Sequence, residues 1–306
     1  MFDEFKNAFQ RYNNGHVQLI IINVVVFLAL GVLFVVAKFS QSPSLFNSVY
    51  LQLALPSDLN DLLHKPWTIL TYSFTHLFHY SLGAPDRDQI GIFHILFNML
   101  GFYWFAKVFI EYLGSDKLIS LYVLGGLAGG LLFLLLYNTI PYFEGNISIL
   151  VGASAAVFAV MTAVAVLLPD YTFFLMFIGP VKVKYIAAFY ILISFLFSAG
   201  DNAGGNIAHL GGALMGFVYI KQLQAGVNWG SWITVTLDWF KNLFKPKPKV
   251  KVTYRSEDRL KKTKSSSSKP QVSQEELDAI LDKISVGGYE SLSKEEKEKL
   301  FNASKK

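Results

Sequence analysis

Apolar residues fall in six long stretches separated by polar turns. Val17–Ala37, Ile90–Leu113, Leu118–Tyr137 and Ile147–Leu168 each hold about the 20 residues a helix needs to cross a bilayer. Tyr185–Ser198, with an apolar approach from Thr172, and Asn206–Ile220 are shorter and complete a set of six. The pattern predicts an all-α polytopic membrane protein with a long loop, Phe39–Gln89, after the first span. That loop is rich in aromatic residues between Pro66 and Phe74, which suit a membrane interface. The first span does not read as a signal peptide. It is too long for such a core, is followed by Lys38, and has no clear A-x-A site.

Basic residues in the short loops orient the chain. Lys117 follows the second span, Lys182 and Lys184 precede the fifth, and Lys241, Lys245, Lys247 and Lys249 follow the sixth. Thr139–Asn146 and Gly200–Gly205 have no Lys or Arg. The excess of positive charge on one side places both termini in the cytoplasm, with the cell (inner) membrane as the expected location.

Beyond residue 225 the pattern changes. Trp229, Trp232 and Trp239 recur at helical spacing, which predicts an interfacial helix over 226–244. Residues 245–271 are basic and polar and cannot bury a core. They suit attraction to anionic lipid. Over 272–306 two short amphipathic helices are expected. Ser273 with Glu276, and Ser293 with Glu296, are spaced as capping boxes. Helices so short need a partner or a surface, here an unknown cytoplasmic one. The expected organisation is a cytoplasmic N-terminus (1–16), a membrane domain (17–225), the interfacial helix, the linker and this tail module.

Composition sharpens the division. The 306 residues are 53% hydrophobic and 16% charged, against about 25% charged in soluble domains. Residues 241–306 hold 17 of the 27 Lys and Arg and 10 of the 22 Asp and Glu, so the tail is net +7 and the rest net −2. That excludes a basic nucleic-acid-binding core and an ordinary soluble enzyme. With no cysteine, disulfides, thiolate metal sites and cysteine nucleophiles are excluded too.

Polar groups inside spans are costly, which makes each a functional lead. His94 and Asn98 lie in the second span, Ser154 in the fourth and His209 in the sixth. Counted from the outer ends of their spans, all four fall in one outer slab. His94 and Asn98, four apart, share a helix face. A helical approach from Ile147 puts Ser154 about 10 Å deep. Alone, Ser154 is expected to bond its own helix and the other three to be packing links. Together they supply a nucleophile, a base and two oxyanion donors, the parts of an acyl-transfer site.

Other intramembrane chemistries lack their residues. There is no H-E-x-x-H. His76 and His79 have no carboxylate nearby to complete a convincing zinc set, so neither metal nor cofactor is expected. Asp170, Asp201 and Asp238 lie at span ends, away from any mid-membrane dyad. No charge sits deep in a span as a transporter would require.

Over roughly residues 15–225 the chain resembles the rhomboid family of intramembrane serine proteases. The motifs are P-W-T-I-L-T-Y-S-F-T-H (66–76), H-I-L-F-N (94–98), E-Y-L-G-S (111–115), G-A-S-A-A-V-F (152–158) and A-H-L-G-G-A-L-M-G (208–216). The resemblance implies a six-helix rhomboid-like bundle. In it Ser154 is the nucleophile and His209 its base. His94, Asn98 and the Ser154 backbone N–H form the oxyanion hole, and Phe158 stacks on the histidine. It implies cleavage of transmembrane protein substrates near the outer leaflet, with the outer loop and fifth span as gates. The chain departs from the family in Ala155 where Gly is common, in Trp67-Thr68 where Trp-Arg is common, and in the polar insert Gly83–Gln89. The alternative is an inactive rhomboid-like scaffold that binds membrane proteins. Such relatives typically lack the Ser/His pair retained here.

Overall fold

The structure, a computed structural model, describes residues 13–77, 90–243 and 273–303. The first contact unit runs from residue 1 to 245 and the second from 246 to 306. The described residues are mostly helical, as the hydropathy predicts. In hydrocarbon every backbone polar group must find a partner within the protein, and a helix does this within one segment.

The six expected spans correspond to α1 (Gly15–Phe39), α5 (Ile90–Leu113), α6 (Ser115–Thr139), α7 (Ser154–Leu167), α8 (Val183–Leu196) and α9 (Ala203–Gln224). The long loop is itself folded. It contains α2 (Pro43–Tyr50), β1 (Leu55–Pro56), α3 (Leu59–His64) and α4 (Thr68–Thr71), then a 3-10 turn over Tyr72–Phe74. The first three long helices, α1, α5 and α6, are long and apolar enough to cross a bilayer unaided; α7 and α8 have 14 residues each.

The short α7 corrects the expected fourth span. Residues 147–152 lie outside any helix, and Ala153 is the turn that leads into α7. Within them β2 (Ile149–Leu150) pairs antiparallel with β1, Leu55 opposite Leu150. Ser57 N–H donates to the Ser148 carbonyl at 2.9 Å, and Gly152 N–H to the Tyr72 carbonyl at 3.0 Å. Non-helical backbone is tolerated at membrane depth only where protein or a wet cavity surrounds it, and the loop supplies that surrounding. The apolar approach to the fifth span is likewise a hairpin, β3 (Thr172–Leu175) with β4 (Gly179–Lys182). At its base Asp170 pairs with Lys182 and Lys184, each at 2.9 Å. Lys184 first, then Lys182, hold the Asp170 carboxyl down at about 2.

α7 is the central helix, because its residues are small. Ala155, Ala156, Ala159 and Ala163 are buried, and α6 and α9 meet the first three with glycines. A Cβ on Gly129 of α6 would lie 2.5 Å from the Ala155 Cβ. One on Gly212 or Gly216 of α9 would run into the carbonyls of Ala155 or Ala159. Between membrane helices, where lipid gives no hydrophobic drive, such close approach supplies the packing. Gly216→Val is therefore expected to cost at least the 1–3 kcal/mol of an overpacked core, because the obstacle is backbone. Thermal melting in detergent reads this as a lower Tm.

After α9, α10 (Ser231–Leu243) exposes Trp232 and Trp239, while Ile233 is buried and Ser120 Oγ donates to the Gly230 carbonyl at 3.0 Å. In the second unit, α11 (Gln274–Gly287) and α12 (Lys294–Ala303) are present. Ser293 and Glu296 form both bonds of a capping box, at 3.3 and 2.7 Å. Ser273 makes only its own half, and Glu276 pairs with Lys299 instead. The Ser293 backbone N–H, and then Lys283, hold Glu296 down at about 2. The basic linker and the Gly83–Gln89 insert lie outside the described residues.

Candidate active site

Ser154 opens α7 immediately after a backbone turn that its neighbours dictate. Gly152 has φ +132°, a conformation closed to most side chains. There is no room for one either. A Cβ on Gly152 would stand 2.9 Å from His94 Cε1, 3.2 Å from His94 Nε2 and 3.6 Å from Ser154 Oγ. The imidazole edge and the serine hydroxyl thus face the same small space across the glycine. As the first helical residue, Ser154 has no preceding turn whose carbonyl it could bond. Its hydroxyl has no hydrogen-bond partner among the described residues. Ser154 is thus not the self-bonded serine it would be in isolation, and the expected helical approach from Ile147 is absent.

His94 sits in the second turn of α5. Its Nδ1 lies 3.3 Å from the Leu77 backbone N–H, which can only donate. Nδ1 is therefore the acceptor, and the neutral ring carries its proton on Nε2, the nitrogen turned toward Gly152. Asn98, one turn on, donates one amide hydrogen to the His94 carbonyl at 2.8 Å. An amide NH₂ has two hydrogens, so one is left for the cavity.

His209 lies nearly two turns into α9, because that helix starts at Ala203 rather than at Asn206. Two contacts fix its ring. Phe158 of α7 stacks on it, centroids 4.2 Å apart and planes 9° apart. Ser194 Oγ of α8 lies 3.1 Å from Nδ1. His94, Asn98, Ser154, Phe158 and His209 all line one cavity of about 480 Å³. It extends sideways between α5, at Phe97 and Trp104, and α8, at Ile186 and Tyr190. No hydrogen bond joins Ser154 to His209. Such bonds are often long in unliganded sites and tighten on substrate binding.

Sequence reasoning passed over three contributors. Ser194 is one hydroxyl among aliphatic neighbours. Asn23, the amide within the first span, is fully buried; its cost in hydrocarbon was the available signal. His76, weighed only as a metal ligand with His79, belongs to a different construction. His76 Nε2 bonds Asn23 Oδ1 at 3.0 Å, and Asn23 Nδ2 donates to Tyr122 Oη at 3.0 Å. Tyr122 in turn donates to the Ser73 carbonyl at 2.8 Å. The His76 ring stands edge-on to His94, centroids 5.4 Å apart, and backs it. His79 lies outside the described residues, and the described ones contain no group of three metal-ligating side chains. Asn23→Ala strands the buried His76 Nε2, while Tyr122 keeps the Ser73 carbonyl. It is expected to cost about 1–3 kcal/mol for the group left unsatisfied, read as a lower Tm in detergent.

Fold and site together define a polytopic helical membrane protein with serine and histidine side chains around an intramembrane cavity. Residues 63–224 match the Rhomboid domain, more than half of the chain, and the protein belongs to the rhomboid family. It is 30% identical over 108 residues to Rhomboid-like protein 17, chloroplastic, of Arabidopsis thaliana, covering 31% of this chain and 34% of that one. To RHOMBOID-like protein 12, mitochondrial, of the same plant it is 29% identical over 170 residues, covering 52% and 47%. The chain spans half or less of the length of these curated relatives. Residues 266–306 match a family of unknown function, DUF6576.

Proposed function

We propose that the protein is an intramembrane serine endopeptidase that cleaves transmembrane segments of membrane proteins near the outer leaflet. The observation that carries this reading is the Ser154 hydroxyl, without a hydrogen-bond partner among the described residues, in a cavity that His94, Asn98 and His209 also line. Ser154 Oγ attacks the scissile carbonyl while His209 Nε2 takes its proton. The oxyanion receives hydrogen bonds from His94 Nε2–H, from the free amide hydrogen of Asn98 and from the Ser154 backbone N–H at the start of α7. His209 then returns the proton to the leaving amine, and a second cycle with water frees the enzyme. A helical substrate hides its carbonyls, so segments with glycine or other weak helix formers are preferred. The side opening between α5 and α8 offers such a segment a way in from the lipid.

We further place the protein in the inner cell membrane, multi-pass, with both termini in the cytoplasm, its substrates being transmembrane proteins. The charge of the basic linker then suits attraction to anionic lipid. The alternative, an inactive scaffold that binds membrane proteins, draws on the open Ser154–His209 pair. The deciding experiment incubates purified protein in detergent with a labelled transmembrane substrate, beside Ser154→Ala. Cleavage by the first and not the second supports the protease; cleavage by neither supports the scaffold.

A further inference from the structure

A stacked ring is held in plane but is free to turn within that plane. Phe158 sets the plane of His209, yet it cannot decide which way Nε2 points. The contact that does so comes from another helix. Ser194 of α8 is 2% exposed, and its hydroxyl lies 3.1 Å from His209 Nδ1. A second in-plane anchor at Nδ1 fixes the direction of the opposite nitrogen, on a ring that lines the same cavity as Ser154.

We propose that Ser194 is a positioning residue for His209, the third member of a Ser154–His209–Ser194 arrangement. This rests on the reading of the site as a serine protease. The hydroxyl accepts from Nδ1–H, which leaves the Nε2 lone pair free to take the Ser154 proton. When His209 becomes imidazolium, Nδ1–H still points at the same oxygen. No proton passes to Ser194. The role resembles that of a triad carboxylate in selecting tautomer and direction, without a buried negative charge that the membrane would penalise. Ser194 also stands two and one turns beyond Ile186 and Tyr190, which line the side opening. The helix beside the entrance thereby carries the anchor of the base.

The test measures two rates on full-length protein in detergent: labelling of Ser154 by a fluorophosphonate probe, and cleavage of a labelled transmembrane substrate. Ser194→Ala is expected to slow both about tenfold per folded molecule, the worth of one orienting hydrogen bond, with KM unchanged and Tm lowered by the unpaired Nδ1–H. Ser194→Thr and Ser194→Val add the same volume and differ in the hydroxyl. Thr should label faster than Val by a similar factor. Labelling of Ser194→Ala at the unmutated rate, or equal rates for Thr and Val, overturns the proposal and leaves the protease reading intact. Unmutated protein that neither labels nor cleaves overturns both.

Discussion

Ser154→Ala is expected to abolish cleavage of a transmembrane substrate while the protein melts normally. The hydroxyl makes no hydrogen bond among the described residues, so its removal leaves no partner stranded and opens only a small void at a cavity wall. The loss is chemical. In serine proteases, removing the nucleophile or its base costs roughly 10⁶ in kcat, and removing both costs no more, because the two act as a unit. His209→Ala should therefore match Ser154→Ala, and the double variant should match either. Steady-state rates of the three, with a melting curve for each, decide the matter. Additive losses would argue against a dyad, and retained cleavage in Ser154→Ala would end the protease reading.

His94→Ala and Asn98→Ala are expected to leave folded protein with a much lower kcat. Loss of one oxyanion donor typically costs about 10²–10³, or roughly 2.7–4 kcal/mol. The structure separates the two residues. His94 has its tautomer set by the Leu77 N–H and its Nε2 beside the Gly152–Ser154 turn. Asn98 spends one hydrogen on the His94 carbonyl, so its loss also loosens His94. His94→Ala should reach the upper part of that range and Asn98→Ala should exceed tenfold, with KM changing less in both. If the side chains only link helices, activity should fall in proportion to folded protein. A variant with normal melting and near-normal kcat would remove that side chain from the oxyanion site.

The motifs around Ser154 and His209 were legible because intramembrane polar groups are few and each is expensive. Asn23 satisfied the same criterion and was missed, since its partners His76 and Tyr122 lie 53 and 99 residues away. Ser194 was missed for a related reason. A hydroxyl can bond within its own helix, so nothing in its local sequence distinguishes a partner on another helix.

By itself, the sequence determined the helical spans, the change of character after residue 225 and the cluster of polar residues on three spans. Those follow from solvent: hydrocarbon demands apolar side chains and closed backbone hydrogen bonds, and both demands are written residue by residue. Only the tertiary structure decided that residues 147–152 lie outside any helix and that Ser154 begins one. Hydropathy is blind there, since an apolar strand and an apolar helix read alike. The choice depends on whether Leu55–Pro56, nearly a hundred residues earlier, is present to take the strand's hydrogen bonds. The direction of His209 has the same origin, for its two anchors lie on α7 and α8, and only packing brings those helices to α9.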